Sequence, residues 1–278
     1  MPFFVIKGHF KPKAPGAVPD GDSVRFLADD LKLWSKLAGK PVKLGTSVAL
    51  KNTAQLRFEG IDSIEKTATQ PLALQSRDNM FRLIGVTPTV SEPRGYILAR
   101  ETDDKSGRPI CFPFAGTTAA KDGSSVMLHA TLLKKSVCYQ QMKDGFAYPL
   151  YYNTLFAALR NEFDKALASA KQNHLGYWPT DATRTGVAVT KKADLTNIRP
   201  IWPKLWRRLE EYFGGTSPAT SLSGFVAFLA AKNERIDILS IMEERGLQDL
   251  VEVQGNKVKL KQNPENLRVV GQSGKRKR

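Results

Sequence analysis

The turn Asp20-Gly21-Asp22-Ser23, the run Arg57-Phe58-Glu59-Gly60-Ile61-Asp62-Ser63-Ile64-Glu65 and the turn Asp104-Lys105-Ser106-Gly107-Arg108 supply carboxylates and guanidinium groups within one chain. Carboxylates suit a hard, oxygen-ligated cation, and arginines offer planar forks that match phosphate oxygens. Such groups together can neutralise the charge that builds on a phosphodiester in its transition state. Taken singly, acidic turns with glycine are common solvated loops. The information lies in the set and its spacing, with Arg57 five residues before Asp62 and eight before Glu65.

The elements that must position these groups are legible in part. Residues 3–7 and 23–27 are short apolar-rich runs around a Pro- and Gly-rich loop, which predicts strand, loop, strand. Leu56 and Phe58 alternate with Arg57 and Glu59, so a strand here sends Leu56 and Phe58 inward and the two charged residues outward. Between them, residues 27–55 read as an insertion holding a short helix (Leu31, Leu33, Trp34, Leu37) and then an irregular or hairpin segment. Pro71 and Gly85 bracket a helix with Ala73, Met80, Phe81 and Ile84 on one face. Strands follow at Tyr96–Ala99 and Ile110–Phe112, and a long helix is expected from Thr154 to Asn173, capped by Asn153, with its stripe from Leu155 to Ala170 in the core. Strands interrupted by helices predict an α+β, mainly β fold: a small OB-fold-like barrel with helices at its ends.

Residues 179–198 lack periodicity and read as a linker. A small, mainly helical module is expected over 199–266, with Pro203 opening a helix that buries Leu205, Trp206, Leu209, Tyr212 and Phe213. Further helices are expected near 221–231 and 236–245, then a hairpin turning at Gly255-Asn256. Three helices and a hairpin would suit a winged-helix-like DNA contact or a protein-interaction module. Residues 267–278 read as a basic tail ending in Lys275-Arg276-Lys277-Arg278, a source of phosphate contacts, a nuclear address or a solvated end.

The order of the three charged motifs, DGDS, R-x4-D-S-I-E and DKSGR, resembles that of the staphylococcal-nuclease-like (thermonuclease) family over residues 1–178, through a tyrosine-containing stretch and a closing Trp178. The resemblance implies a metal-dependent nuclease on DNA, with RNA as a second substrate, leaving 3′-phosphate ends with little sequence preference. It implies Asp22, Asp62 and the Ser63 carbonyl as ligands of calcium, with magnesium or manganese as alternatives. Glu65 becomes the general base or the group that orients water, while Arg57 and Arg108 clamp the phosphate. Lys105 becomes a contact to neighbouring phosphates or a solvated turn residue. Tyr148 and Tyr151 become nucleotide contacts, with Tyr152 as an alternative and core packing as the other reading of all three. The chain departs from the family in Ile64, where a proline is usual, and in Ser106, where a tyrosine is usual. A non-catalytic scaffold for nucleic acid or protein on the same fold is the competing reading, and 199–266 is the candidate surface for a protein partner.

Across its 278 residues, Lys and Arg total 42 against 27 acidic residues, a net charge of +15, which favours a polyanionic partner through counterion release. No apolar run is long enough to span a membrane. The N-terminus does not read as a secretory signal, and Cys111 and Cys138 show no paired spacing, so a cytoplasmic location is expected, or a nuclear one in a eukaryotic host. His9, His129 and His174 are too dispersed to suggest a local metal motif.

Overall fold

A computed structural model describes residues 2–215 and 218–271. In chain order the elements are β1 (Phe3–Phe10), β2 (Arg25–Ala28), β3 (Ala54–Gln55), β4 (Arg57–Phe58), β5 (Gly60–Asp62), α1 (Leu72–Ile84), β6 (Arg94–Thr102), β7 (Pro109–Ala115), β8 (Ser125–Val126), α2 (Ala130–Leu133), α3 (Val137–Lys143), β9 (Tyr148–Tyr152) and α4 (Ala157–Gln172). They continue with β10 (Val187–Ala188), α5 (Pro203–Gly214), α6 (Phe225–Lys232), β11 (Arg235–Ile238), β12 (Glu243–Gly246), α7 (Leu247–Leu250), β13 (Val251–Gln254), β14 (Lys257–Leu260) and β15 (Leu267–Val269).

The first lobe is a sheet in the order β3-β2-β1-β6-β7-β4. Its two ends, β3 and β4, are consecutive in the chain with only Leu56 between them. The Leu56 amide donates to the Val24 carbonyl at 2.9 Å and the Phe58 amide to the Asp22 carbonyl at 3.1 Å, while β4 runs parallel to β7. One short segment therefore ties both ends of the sheet together, and six strands make a nearly closed barrel. Ile6, Phe10, Phe26, Leu56, Phe58 and Phe112 fill it. Met80 and Ile84 of α1, Cys138 and Met142 of α3, and Phe163 and Leu167 of α4 join the same core. The alternation read at Leu56–Glu59 fails at its last residue, because Glu59 is buried as well.

Helix α1 ends as the sequence predicts, with Gly85 in the left-handed region donating its amide to the Phe81 and Arg82 carbonyls. Helix α4 begins at Ala157 with Phe156 at the cap position, three residues later than expected, since residues 148–152 are drawn into a strand just before it. The Leu155, Leu159, Phe163, Ala166, Leu167 and Ala170 stripe is buried throughout. In the insertion, Leu31–Lys36 form a 3-10 helix capped by the Asp30 carboxylate, and Leu33, Trp34 and Leu37 pack inward.

The second lobe departs further from the sequence reading. Residues 179–198 are packed rather than free: Ala182, Val187, Val189 and Leu195 are buried, and β10 pairs with β14. Their apolar residues are spaced irregularly, so neither helical nor strand periodicity reveals them. Residues 236–245 form the β11–β12 hairpin instead of a helix, with Ile236 and Ile238 inward and Arg235 outward. The helix expected there is replaced by this hairpin, and the short α7 follows it. The β13–β14 hairpin turns at Gly255-Asn256 as predicted, pairing Val253 with Val258. Leu267–Val269, expected to open a tail, instead forms β15, and Lys275–Arg278 lies outside the described residues.

The two lobes share a sheet. Strand β9 pairs antiparallel with β5 on one side and parallel with β15 on the other, within the order β12-β11-β15-β9-β5. Ile64, Ala68, Ala73, Tyr148 and Leu150 belong to the second core, alongside Trp202, Leu205 and Phe225. Among the described residues, no helix is long and apolar enough to cross a membrane.

Candidate active site

The site forms where β4, β5 and the Asp20–Ser23 turn meet the second lobe. The turn is held from three directions. Asp20 Oδ1 accepts from the Ser23 hydroxyl at 2.7 Å, Gln141 Nε2 donates to the Gly21 carbonyl at 2.7 Å, and Ser63 N donates to Asp22 Oδ2 at 3.2 Å. A Cβ on Gly21 would lie 1.9 Å from Ser76 Oγ, so the approach of the turn to α1 requires glycine. Burial first, and then the neighbouring Asp20, Asp62 and Glu65 charges, push the Asp22 carboxyl well above the usual range.

Asp62 ends β5 and is buried, while Glu65 follows on the loop and is partly exposed. In that loop Ile64 is buried in the second core and its amide donates to the Tyr177 hydroxyl at 3.4 Å. Side-chain packing therefore anchors the segment that carries Glu65. Burial raises the Glu65 carboxyl, against the opposing pull of Arg207.

Arg207, on α5, was not among the residues singled out from the sequence. Its Nη1 donates to Asp62 Oδ1 at 2.9 Å and to Glu65 Oε1 at 2.8 Å, and its Nη2 donates to Asp62 Oδ2 at 2.7 Å. This is a forked pair with one carboxylate and a third bond to a second. The sequence shows Arg207 only as one of two adjacent arginines on an amphipathic helix, and nothing local ties it to Asp62 and Glu65, 145 and 142 positions away.

Burial works to lower the Arg57 pKa, but Tyr152, and then the Asp62 and Asp22 charges, raise it above its ordinary value. Its Nη2 donates to the Tyr152 hydroxyl at 2.8 Å, and its guanidinium lies 5.0 Å from that ring's centroid. Of Tyr148, Tyr151 and Tyr152, the last is thus the one at the site. Tyr148 and Tyr151 are interior: the Tyr148 hydroxyl donates to Asp181 at 2.6 Å and its ring stacks on Tyr177, while the Tyr151 hydroxyl donates to Asp164 at 2.7 Å. Neither ring has a face free for a base, which corrects their assignment as nucleotide contacts.

Arg108 is committed elsewhere. Its Nε donates to Asp103 Oδ2 at 2.8 Å and to Ser106 Oγ at 3.1 Å. Asp103 also accepts from the Ser106 amide and hydroxyl and the Gly107 amide, so it, rather than Asp104, organises this turn. Burial would raise the Asp103 carboxyl, but the Ser106 and Arg108 hydrogen bonds outweigh it and leave the group below its ordinary value. The 27–55 insertion braces the turn, with the Lys43 amide donating to the Gly107 carbonyl at 3.1 Å and the Thr102 hydroxyl to the Lys40 carbonyl at 2.8 Å. Lys105 is exposed.

The structure therefore brings Asp22, Asp62, Ser63, Glu65 and Arg57 together, with Tyr152 and Arg207 added, and leaves Arg108 bound to its own turn. As arranged, the acidic residues do not fit a divalent ion. Both Asp62 oxygens and one Glu65 oxygen already accept from Arg207, and among the described residues no three His, Cys, Asp or Glu side chains form a cage. Cys111 and Cys138 are buried free thiols. No family model matches this chain, and no curated protein matches it.

Proposed function

We propose that the first lobe is an OB-type barrel carrying a metal-dependent nuclease site that hydrolyses phosphodiester bonds of DNA, and of RNA, with little sequence preference. The observation that carries this reading is the convergence of Asp22, from its own turn, with Arg57, Asp62 and Glu65 of the 57–65 run, beside the second lobe, in a chain of net charge +15. Carboxylates and an arginine gathered in one place, in a basic protein, suit a phosphodiester better than a neutral substrate. The strand order and the parallel β4–β7 pair support the OB-type assignment.

In this reading Arg57, oriented by Tyr152, meets the phosphate oxygens and Glu65 takes the proton of the attacking water. Arg108 joins only by exchanging Asp103 for phosphate, and Lys105 contacts a flanking phosphate. Calcium, or magnesium or manganese in its stead, belongs to a form of the site in which Arg207 has released Asp62. Cleavage leaving 3′-phosphate ends is part of the proposal.

The test is cleavage of single- and double-stranded DNA and RNA by the full chain, with each divalent ion and with chelator. Glu65→Gln should lower the rate by a factor on the order of 10² to 10⁴ while binding of DNA persists. A chain that binds DNA but never cleaves it, with any ion, would instead be a scaffold.

A further inference from the structure

Arg207 supplies positive charge where the proposed cation would sit. Its two Nη atoms engage both oxygens of Asp62 and one of Glu65, at 2.7–2.9 Å. An ion bound through Asp62 would crowd the same two oxygens, and two cations on one buried carboxylate repel each other. A guanidinium cannot yield by losing its proton, so it yields only by moving.

The side chain has a way out. It is 34% exposed, whereas the Asp62 side chain is 5% exposed. The α5 backbone is held by other contacts. Trp202 Nε1 donates to the Pro149 carbonyl at 3.1 Å, Trp206 Nε1 to the Leu195 carbonyl at 3.0 Å, and Lys204 and Arg208 both pair with Glu234. Rotation of Arg207 into solvent therefore frees Asp62 and Glu65 without undocking the helix.

We propose that Arg207 is a latch: it occupies the cation position of the Asp22, Asp62 and Glu65 site, so that a divalent ion and Arg207 exclude one another and the second lobe holds the site off. The inference rests on the nuclease reading and adds its regulation. Two carboxylates lose their counter-charge when the latch opens, and a divalent ion restores it. A purely structural ion pair would show no such exchange.

The experiment titrates calcium, magnesium and manganese into the full chain without nucleic acid, by calorimetry, for the wild type, Arg207→Met and Arg207→Lys. The methionine variant should bind calcium at least tenfold more tightly than the wild type, and the lysine variant should fall between them. On the wild type, calcium should increase phenylglyoxal modification of Arg207, read by mass spectrometry. This second measurement decides the matter if Arg207→Met does not fold. Equal calcium affinity in folded variants, or calcium that leaves Arg207 reactivity unchanged, overturns the latch. If DNA is then still cleaved, the nuclease reading stands alone. Tighter calcium binding by Arg207→Met with no cleavage keeps the latch on a cation site and removes the nuclease.

Discussion

Replacing Lys40, Lys43 and Lys105 together with glutamine tests whether the insertion serves nucleic-acid binding or only braces the barrel. From Leu31 to Phe58 the chain carries Lys32, Lys36, Lys40, Lys43 and Lys51 and no acidic residue. Lys40 and Lys43 are exposed and border the Arg108 turn, where Lys40 Nζ donates to the Lys105 carbonyl at 3.5 Å. On the proposed function, a polynucleotide that reaches Arg108 would pass these three ammonium groups. Each phosphate neutralised adds about 0.9 to the slope of log affinity against log salt on duplex DNA, so the triple variant should lose about 2.7 from that slope. Between 50 and 200 mM salt, the wild type would then lose about 40-fold more affinity than the variant. Fluorescence anisotropy on a duplex oligonucleotide, with Glu65→Gln in both proteins to prevent cleavage, measures this. Parallel salt slopes, with unchanged thermal stability, would refute a phosphate-binding role for the insertion.

Glu59 offers a pH test of the barrel. Burial raises its carboxyl from 4.5 to about 7, aided by Glu101 and opposed by Arg100 and Arg57. A carboxyl raised in the folded state contributes stability that is full below about pH 4.5 and is lost as pH rises through about 7, a cost on the order of 3 kcal/mol above that window. Glu59→Gln should therefore gain stability relative to wild type between pH 5 and pH 8, measured by urea unfolding at each pH; an equal difference at both pH values would show that Glu59 ionises freely. Gly107, at φ +68°, sits where a Cβ would lie 2.5 Å from the Pro41 carbonyl, whereas Gly116, at φ +78°, has open space around its Cβ position. Gly116→Ala should cost about 1 kcal/mol from backbone strain alone, and Gly107→Ala clearly more, with cleavage weakened as the Arg108 turn shifts. Denaturant midpoints that match would mean the contact with the insertion does not constrain the turn.

How much of this was legible from sequence depended on how local each signal was. The α1 limits at Pro71 and Gly85 and the Gly255-Asn256 hairpin rest on contacts within a few residues, and each came through. The closure of the barrel depends on Leu56 and Phe58 reaching back to Val24 and Asp22, a pairing no periodicity encodes. At 236–245 the apolar positions suit either a helical or a strand period, and pairing with β15 decides for the strand. The acidic half of the site was visible because Asp62 and Glu65 lie close together on one segment. Its counter-charge was not, because Arg207 comes from the second lobe, 145 positions from Asp62 and 142 from Glu65, and no local pattern joins them. The sheet shared by the two lobes brings residues 199–269 up to the site: they place Arg207 against Asp62 and β15 beside β9, so removing them should expose the acidic residues while stripping β9 of a neighbour and uncovering Tyr148 and Leu150. A single side-chain change at Arg207 separates these two effects, and truncation of the lobe cannot.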